Sequence, residues 1–437
     1  MNGRLSIAVG FLALIVVGAI LLSMPWARAD GVAGSFGTAL FTSCSAVCVT
    51  GLTVVDIAAE YSRSGQIVLL ALVEVGCLGL MTCGTFLLIA VGRRLSLTRE
   101  FSLMNAYGVA QVKGLKGLIC WVVGSMVVIE ALGAAVLYTH FHAVYPSVFY
   151  SVMGFCNAGF SLQADSLASF ADRPFVILTL AVETILGGIG FLVIYNLCTF
   201  RFLRRSSGGK GRLSLHTRVV LKVTAVMLIV GFLVFLALEW NRVLADFSPA
   251  KRLWVAFYHS VTPRTCGFTV VPTESLHPLT RLVYEFMMFI GGAPGSAAAG
   301  IKVTTLAVLT ATLMAMCRGD EDTVISMRIV PYDVIRESIV ICMAMGVFIA
   351  VVFGALLVTE GAVGIPTDHL FFEAVSAITT TGLSVGDTTR RLSFDGRAVI
   401  MTAMFLGRLG ALTVVMMIGD RESKRHVKYP TEELIVG

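Results

Sequence analysis

Apolar residues recur along this chain in runs long enough to cross a bilayer, with polar clusters between them. Eight runs read as spanning helices, at residues 4–24, 66–92, 118–138, 174–200, 218–239, 280–317, 333–358 and 395–420. A hydrocarbon layer of about 30 Å asks for roughly 20 apolar residues, and each run meets that demand. Between the members of each successive pair lies a shorter segment, at 35–47, 146–156, 250–263 and 367–378. These segments are too short to span, so they are expected to enter the membrane and turn back as half-helices. The chain thus divides into four units at 1–112, 113–212, 213–325 and 326–420, followed by a tail at 421–437. The expected fold is an all-α integral membrane protein. Its eight transmembrane helices form four M1–P–M2 repeats (helix, half-helix and loop, helix) in a pseudo-fourfold array.

A short pattern closes each half-helix. The copies are Val49-Thr50-Gly51-Leu52-Thr53, Asn157-Ala158-Gly159-Phe160-Ser161, Thr265-Cys266-Gly267-Phe268-Thr269 and Thr380-Thr381-Gly382-Leu383-Ser384. Each glycine is followed by a large apolar residue and then a hydroxyl. A phenylalanine stands ten positions earlier, at Phe41, Phe149, Phe257 and Phe372. The glycines are 108, 108 and 115 residues apart. Such spacing suggests four walls of one pore, where backbone carbonyls replace the hydration shell of a cation. Irregular backbone at membrane depth is tolerated only when buried in protein or lining a water-filled cavity. Half-helix C-termini carry partial negative charge toward the same axis. The competing reading, small residues serving helix packing, does not account for the matched phenylalanine, glycine and hydroxyl.

Composition supports the membrane class. Hydrophobic residues fill 57% of 437 positions and charged ones 14%, with a mean hydropathy of +0.86. A soluble domain is nearer a quarter charged. The net charge of +6 matters through its placement. Basic residues gather at 93–116, 201–222, 318–336 and 421–428, which puts both termini in the cytoplasm by the positive-inside rule. They flank helices and form no stripe, which argues against nucleic-acid binding. The stretch Arg204-Arg205-Ser206-Ser207-Gly208-Gly209-Lys210-Gly211-Arg212 is a flexible basic linker suited to anionic membrane lipid or to a docking partner. Residues 4–29 imitate a signal peptide, but the apolar run is too long, so it is expected to remain as the first helix. The ten cysteines show no metal or disulfide spacing; Cys44, Cys48, Cys156 and Cys266 lie near the loops, within expected reach of thiol reagents.

Three further features carry chemistry. Gly291-Gly292-Ala293-Pro294-Gly295-Ser296 and the following Gly300 interrupt the sixth span, giving either an irregular loop or a kinked helix. Gly295, Gly300 and Lys302 mimic a P-loop, but the lysine is one place late and no strand precedes it. Arg408 is expected mid-way along the last span, where arginine costs roughly 2.5–3.5 kcal/mol on insertion scales. It is expected to face the permeation cavity and the interrupted helix, or else to pair with half-helix carbonyls. Glu74, Glu183 and Glu285 are expected to be satisfied by backbone donors of the half-helices. His140, His142 and His259 show no metal spacing.

Several ordered blocks resemble the Trk/Ktr/HKT superfamily of potassium transporters, most closely the Ktr-type membrane subunit. They are Ser45–Leu52, Phe155–Leu162, Ser260–Phe268, Met288–Ser296, Glu373-Ala374-Val375-Ser376-Ala377, Gly407-Arg408-Leu409-Gly410 and the ending Lys428–Gly437. The resemblance implies potassium uptake, often sodium-stimulated, through a selectivity filter at the twelve loop positions from Val49-Thr50-Gly51 to Thr380-Thr381-Gly382. It implies a gate built from Gly291, Gly292, Pro294, Gly295, Ser296, Gly300, Lys302 and Arg408. It also implies a homodimer in the cell membrane with a pore in each subunit, a cytoplasmic RCK-type nucleotide-binding ring, and no organic cofactor on this chain. Cys266 replaces the alanine usual in the third loop, the fourth loop is rich in threonine, and the gate reads Ala293 and Ser296-Ala297-Ala298-Ala299. These departures bear on K⁺ over Na⁺ selectivity and on gate mobility. A proton- or sodium-coupled potassium symporter would need acidic ligands and inverted repeats. An enzyme would need a catalytic constellation, and the sequence offers none.

Overall fold

A computed structural model describes residues 3–93, 114–206, 213–361 and 363–410. The basic stretches 94–113 and 207–212, the end of the eighth span and the tail 421–437 lie outside the described residues. The first unit holds α1 (Gly3–Ser23), α2 (Phe36–Val47) and α3 (Arg63–Arg93). The second holds α4 (Gly114–Phe141), α5 (Val144–Cys156), α6 (Pro174–Ile189) and α7 (Phe191–Ser206). The third holds α8 (Leu215–Glu239), α9 (Pro249–Val261), α10 (Pro278–Phe289) and α11 (Val303–Arg318). The fourth holds α12 (Tyr332–Glu360), α13 (Thr367–Ile378) and α14 (Phe394–Leu409). A two-stranded antiparallel pair, β1 (Val324–Ile325) and β2 (Arg328–Ile329), joins the last two units.

Local chemistry fixes the helix starts. Proline opens α6, α9 and α10, where the missing N–H has no partner to lose. Ser214, Ser248 and Ser393 cap α8, α9 and α14, accepting from Thr217, Lys251 and Gly396 N–H at 3.2, 3.4 and 3.1 Å. Glu239 and Glu360, each the last residue of a long helix, tie the start of a later helix: Glu239 accepts from His277 N–H at 2.8 Å, Glu360 from Ser393 Oγ at 2.6 Å.

The expected spans differ in how continuous they are. Three described helices are long and apolar enough to cross a membrane: Cys120–Phe141, Leu215–Glu239 and Tyr332–Glu360. The run at 174–200 is broken at Gly190 (φ +83°), where α6 and α7 meet at 97°. The run at 280–317 becomes α10 and α11, separated by an irregular loop. α14 ends at Leu409 with Gly410 at φ +84°, so Arg408 lies in the last turn and not mid-helix.

Burial is inverted relative to a soluble protein. The long helices turn apolar side chains outward, among them Leu12, Leu132, Leu233 and Val351, at 54 to 65% exposed. The short helices are buried and polar: Thr42, Ser43, Ser45, Ser147, Ser151, Ser260 and Ser376 are all at most 1% exposed. Two of these hydroxyls bond to backbone of the long helices, Ser43 to Ile15 O and Ser151 to Glu130 O, each at 2.7 Å. This arrangement suits lipid outside and polar backbone inside. Contacts between units run in a closed cycle, with α3 on α5, α6 on α9, α10 on α13 and α14 back on α2.

Candidate functional site

The four glycine loops meet inside that cycle. The residue two before each glycine is left-handed: Val49 (φ 54°), Asn157 (58°), Thr265 (68°) and Thr380 (49°). Each glycine is left-handed too, at 90°, 65°, 82° and 85° for Gly51, Gly159, Gly267 and Gly382. Non-glycine residues take this conformation at a cost of roughly 1–2 kcal/mol, so four matched occurrences mark one backbone shape built four times. In three loops the residue before the glycine donates to the carbonyl five back: Thr50 to Ser45, Ala158 to Met153 and Thr381 to Ser376, at 2.8 to 2.9 Å. The third loop departs: Cys266 donates to Thr262 O at 3.1 Å, while Val261 O, the carbonyl five back, accepts from Arg264 N–H at 3.0 Å.

Glycine is required by proximity as well as by φ. A Cβ on Gly51 would lie 2.3 Å from Ala158 O, and one on Gly159 would lie 2.8 Å from Cys266 O. On Gly267 it would lie 2.7 Å from Thr381 O, and on Gly382 2.0 Å from Thr50 O. The last contact returns to the first loop, so the glycines and the carbonyls just before them form a closed ring. Above it opens a cavity of ≈ 320 Å³, lined by the four glycines and by Thr53, Ser161, Thr269 and Ser384. The structure therefore brings together every loop residue that the spacing singled out. Thr50, Thr265 and Thr380 carry buried Oγ1 atoms without a hydrogen-bond partner among the described residues.

The interrupted span is an irregular loop, not a kinked helix. Its two ends pair side by side: Gly291 N–H donates to Ile301 O and Ile301 N–H to Phe289 O, both at 3.0 Å. Gly291 permits this, since a Cβ there would lie 1.8 Å from Ala299 O. Gly295 and Gly300 are left-handed, and Ser296 Oγ donates to Ala293 O at 2.7 Å. The tip is held by other units. Ala293 and Ala297 N–H donate to Gly188 and Gly187 O at 2.9 and 3.1 Å, and Phe191 N–H donates to Gly295 O at 3.2 Å. Arg408, 1% exposed, donates to Ala297 O at 2.8 Å and to Gly76 O at 2.9 Å. Lys302 Nζ donates to Ala298 O at 2.7 Å. The carbonyls that Arg408 meets thus belong to the loop and to α3, not to the short helices.

The acids depart from expectation. Glu183 accepts from the Ser151 hydroxyl, not from backbone, and its other oxygen has no partner among the described residues. Glu74 lies with Glu130 and the Cys156 thiol, their ligand atoms within 4.8 Å of one another, a grouping that linear spacing conceals. Glu285 borders an apolar groove between α10 and α12. Cys44, Cys48, Cys156 and Cys266 are buried, which closes them to the reagents expected to reach them. His259 is structural: its Nδ1 meets Tyr284 OH at 2.7 Å and its Nε2 accepts from Val271 N–H at 3.2 Å. Arg264, the one charge that the sequence sets directly before a loop, is buried beside Thr265 and reaches Thr224 Oγ1 at 3.4 Å.

Residues 5–429 match the TrkH family, described as cation transport protein. The chain is 32% identical to the potassium/sodium uptake protein NtpJ of Enterococcus hirae, over 99% of this chain and 96% of that protein. It is 32% identical to Ktr system potassium uptake protein B and 33% identical to protein D, both of Bacillus subtilis, over 99% of this chain and 96% of each relative. Its fold is similar to the crystal structure of the potassium transporter TrkH from Vibrio parahaemolyticus, with a TM-score of 0.74 and 18% identity, covering 96% of this chain and 85% of that one. Members of this family are ion transporters and not enzymes. A match over nearly the whole length, on a helical membrane fold whose repeated loops close into a ring, settles the affiliation: the chain belongs to the TrkH family of cation transport proteins.

Proposed function

We propose that this protein carries K⁺ into the cell through the ring of four glycine loops. The observation that carries the reading is the closed cycle from Gly51 through Gly159 and Gly267 to Gly382 and back to Thr50. Carbonyls of Val49, Thr50, Asn157, Ala158, Thr265, Cys266, Thr380 and Thr381 replace the water around the ion, helped by the free hydroxyls of Thr50, Thr265 and Thr380. The C-termini of α2, α5, α9 and α13 add partial negative charge toward the same point. Four M1–P–M2 repeats, eight transmembrane elements in all, surround the axis, with two second helices broken. The membrane potential drives entry, worth about 2.3 kcal/mol per charge at 100 mV.

The loop Gly291–Gly300 is the gate, latched by Arg408 and Lys302. Both termini lie in the cytoplasm of the cell membrane, where an RCK-type nucleotide-binding ring acts on a homodimer. Sodium accompanies or stimulates uptake, in keeping with the printed name of the Enterococcus hirae relative. The test is rubidium uptake by liposomes holding the purified protein. Uptake that follows an imposed K⁺ gradient and saturates supports the pore, and an isotope flux indifferent to that gradient removes it.

A further inference from the structure

One position behind the loops is filled by hydroxyls three times and by a carboxyl once. Nine residues before each loop glycine stand Thr42, Tyr150, Tyr258 and Glu373, all buried. In the second unit Tyr150 OH meets Ser161 Oγ at 3.0 Å and accepts from Leu162 N–H at 3.2 Å. The fourth unit makes the equivalent contact with a charged group. Glu373 Oε2 accepts from Ser384 Oγ at 2.9 Å, and Oε1 accepts from Thr389 Oγ1. Thr389 Oγ1 also lies 3.2 Å from Ser384 Oγ. In the other two units the contact is lost: Thr42 turns to Thr38 O at 3.0 Å, and Tyr258 OH lies 3.8 Å from Cys266 Sγ.

Glu373 is 0% exposed, and both of its oxygens face hydroxyl donors. A hydroxyl can donate to the ionised carboxylate or accept from the protonated acid, so these contacts suit both forms. A buried carboxylate is costly without a partner of opposite charge. Among the described residues no lysine, arginine or histidine forms an ion pair with it, and nearby Arg390 is engaged by Asp387 at 3.5 Å. Ser384, whose hydroxyl bonds the carboxyl, lines the cavity beside the ring, as do Arg390, Asp56 and Asp165. A cation drawn into that cavity would favour the ionised carboxylate over the protonated acid.

We infer that Glu373 is a positioning residue that sets cation affinity and preference from behind the fourth loop. It fixes the loop's outer strand through Ser384 and Thr389, and its charge draws a monovalent cation from the cavity to the ring. This inference rests on the ion-pathway reading above. No carboxyl occupies the equivalent position in the other three units, although buried Glu183 lies behind the second short helix at Ser151.

The test compares rubidium uptake by wild type, Glu373→Gln and Glu373→Asp in liposomes, with Na⁺ as competitor. Glutamine keeps the volume and bonds both hydroxyls but carries no charge. We expect Vmax close to wild type, an increase of about tenfold in half-saturating rubidium, and a changed Na⁺ competition constant. Aspartate should recover part of the affinity. An unchanged half-saturation and Na⁺ competition in Glu373→Gln overturns the inference and leaves Glu373 a packing group. Should that variant not fold, Ser384→Ala and Thr389→Val carry the test, since each unlinks the carboxylate from the cavity wall. Unchanged affinity in both likewise overturns it. Wild-type protein that takes up no rubidium sinks the ion pathway itself, a distinct result.

Discussion

Two stretches of this protein hold irregular backbone deep among membrane helices, and their partners differ. In three of the ring loops the residue before the glycine bonds into the end of the same short helix, as Thr50 does with Ser45 and Thr381 with Ser376. The loop from Gly291 to Gly300 has a paired base, but its tip depends on Gly187, Gly188 and Phe191 of the second unit and on Arg408 of the fourth. The ring's shape is therefore a local property of each unit, repeated. The tip's shape is a property of how three units sit together. A filter has to keep its dimensions while ions pass, and a gate has to have two arrangements of comparable free energy. On the proposed reading, local bonding serves the first need and borrowed bonding the second.

The strongest way to break the comparison is Gly382→Ala. The new methyl would sit 2.0 Å from Thr50 O and force a left-handed alanine, a conformational cost of roughly 1–2 kcal/mol before any clash. We expect rubidium uptake at background in protein that still elutes as a folded species; appreciable uptake would mean that the ring is not the pathway.

Arg408→Ala should move flux the other way. It deprives the Ala297 and Gly76 carbonyls of their donor and withdraws a positive charge beside the loop. A shift of about 1–2 kcal/mol toward the released loop corresponds to uptake faster by a factor of about 5–30, read as initial rubidium rate. A rate equal to wild type would count against the latch.

The mildest test leaves function alone. A membrane-permeant maleimide should label the exposed Cys120, Cys198 and Cys317 in the folded protein, and reach Cys48, Cys156 and Cys266 only after unfolding. Mass spectrometry of the labelled peptides reads both sets, and early labelling of Cys266 would show the ring to be looser than its bonding implies.

Much of the ring was legible because a tight, repeated backbone shape demands glycine at one position, and that demand is written in single residues. The interrupted sixth span was legible for a similar reason, since Pro294 and four glycines cannot continue a helix. The break at Gly190 was not. A lone glycine in an apolar run is tolerated within helices, and what decides here is the loop tip, which bonds to the carbonyls of Gly187 and Gly188. Arg408 stands in the last turn of α14 because Gly410 breaks that helix, and Gly410 resembles any other glycine in the sequence. The Glu74, Glu130 and Cys156 grouping draws on three helices, and Glu373 gains its meaning from Ser384 and Thr389 across a turn. Neither leaves a trace in linear spacing.

The closing contact of the ring joins Gly382 to Thr50, positions from the final and the opening quarters of the polypeptide. A ribosome must therefore finish nearly the entire product before the circle can close. On the proposed reading, a nascent or stalled copy lacks the piece that completes the ion path.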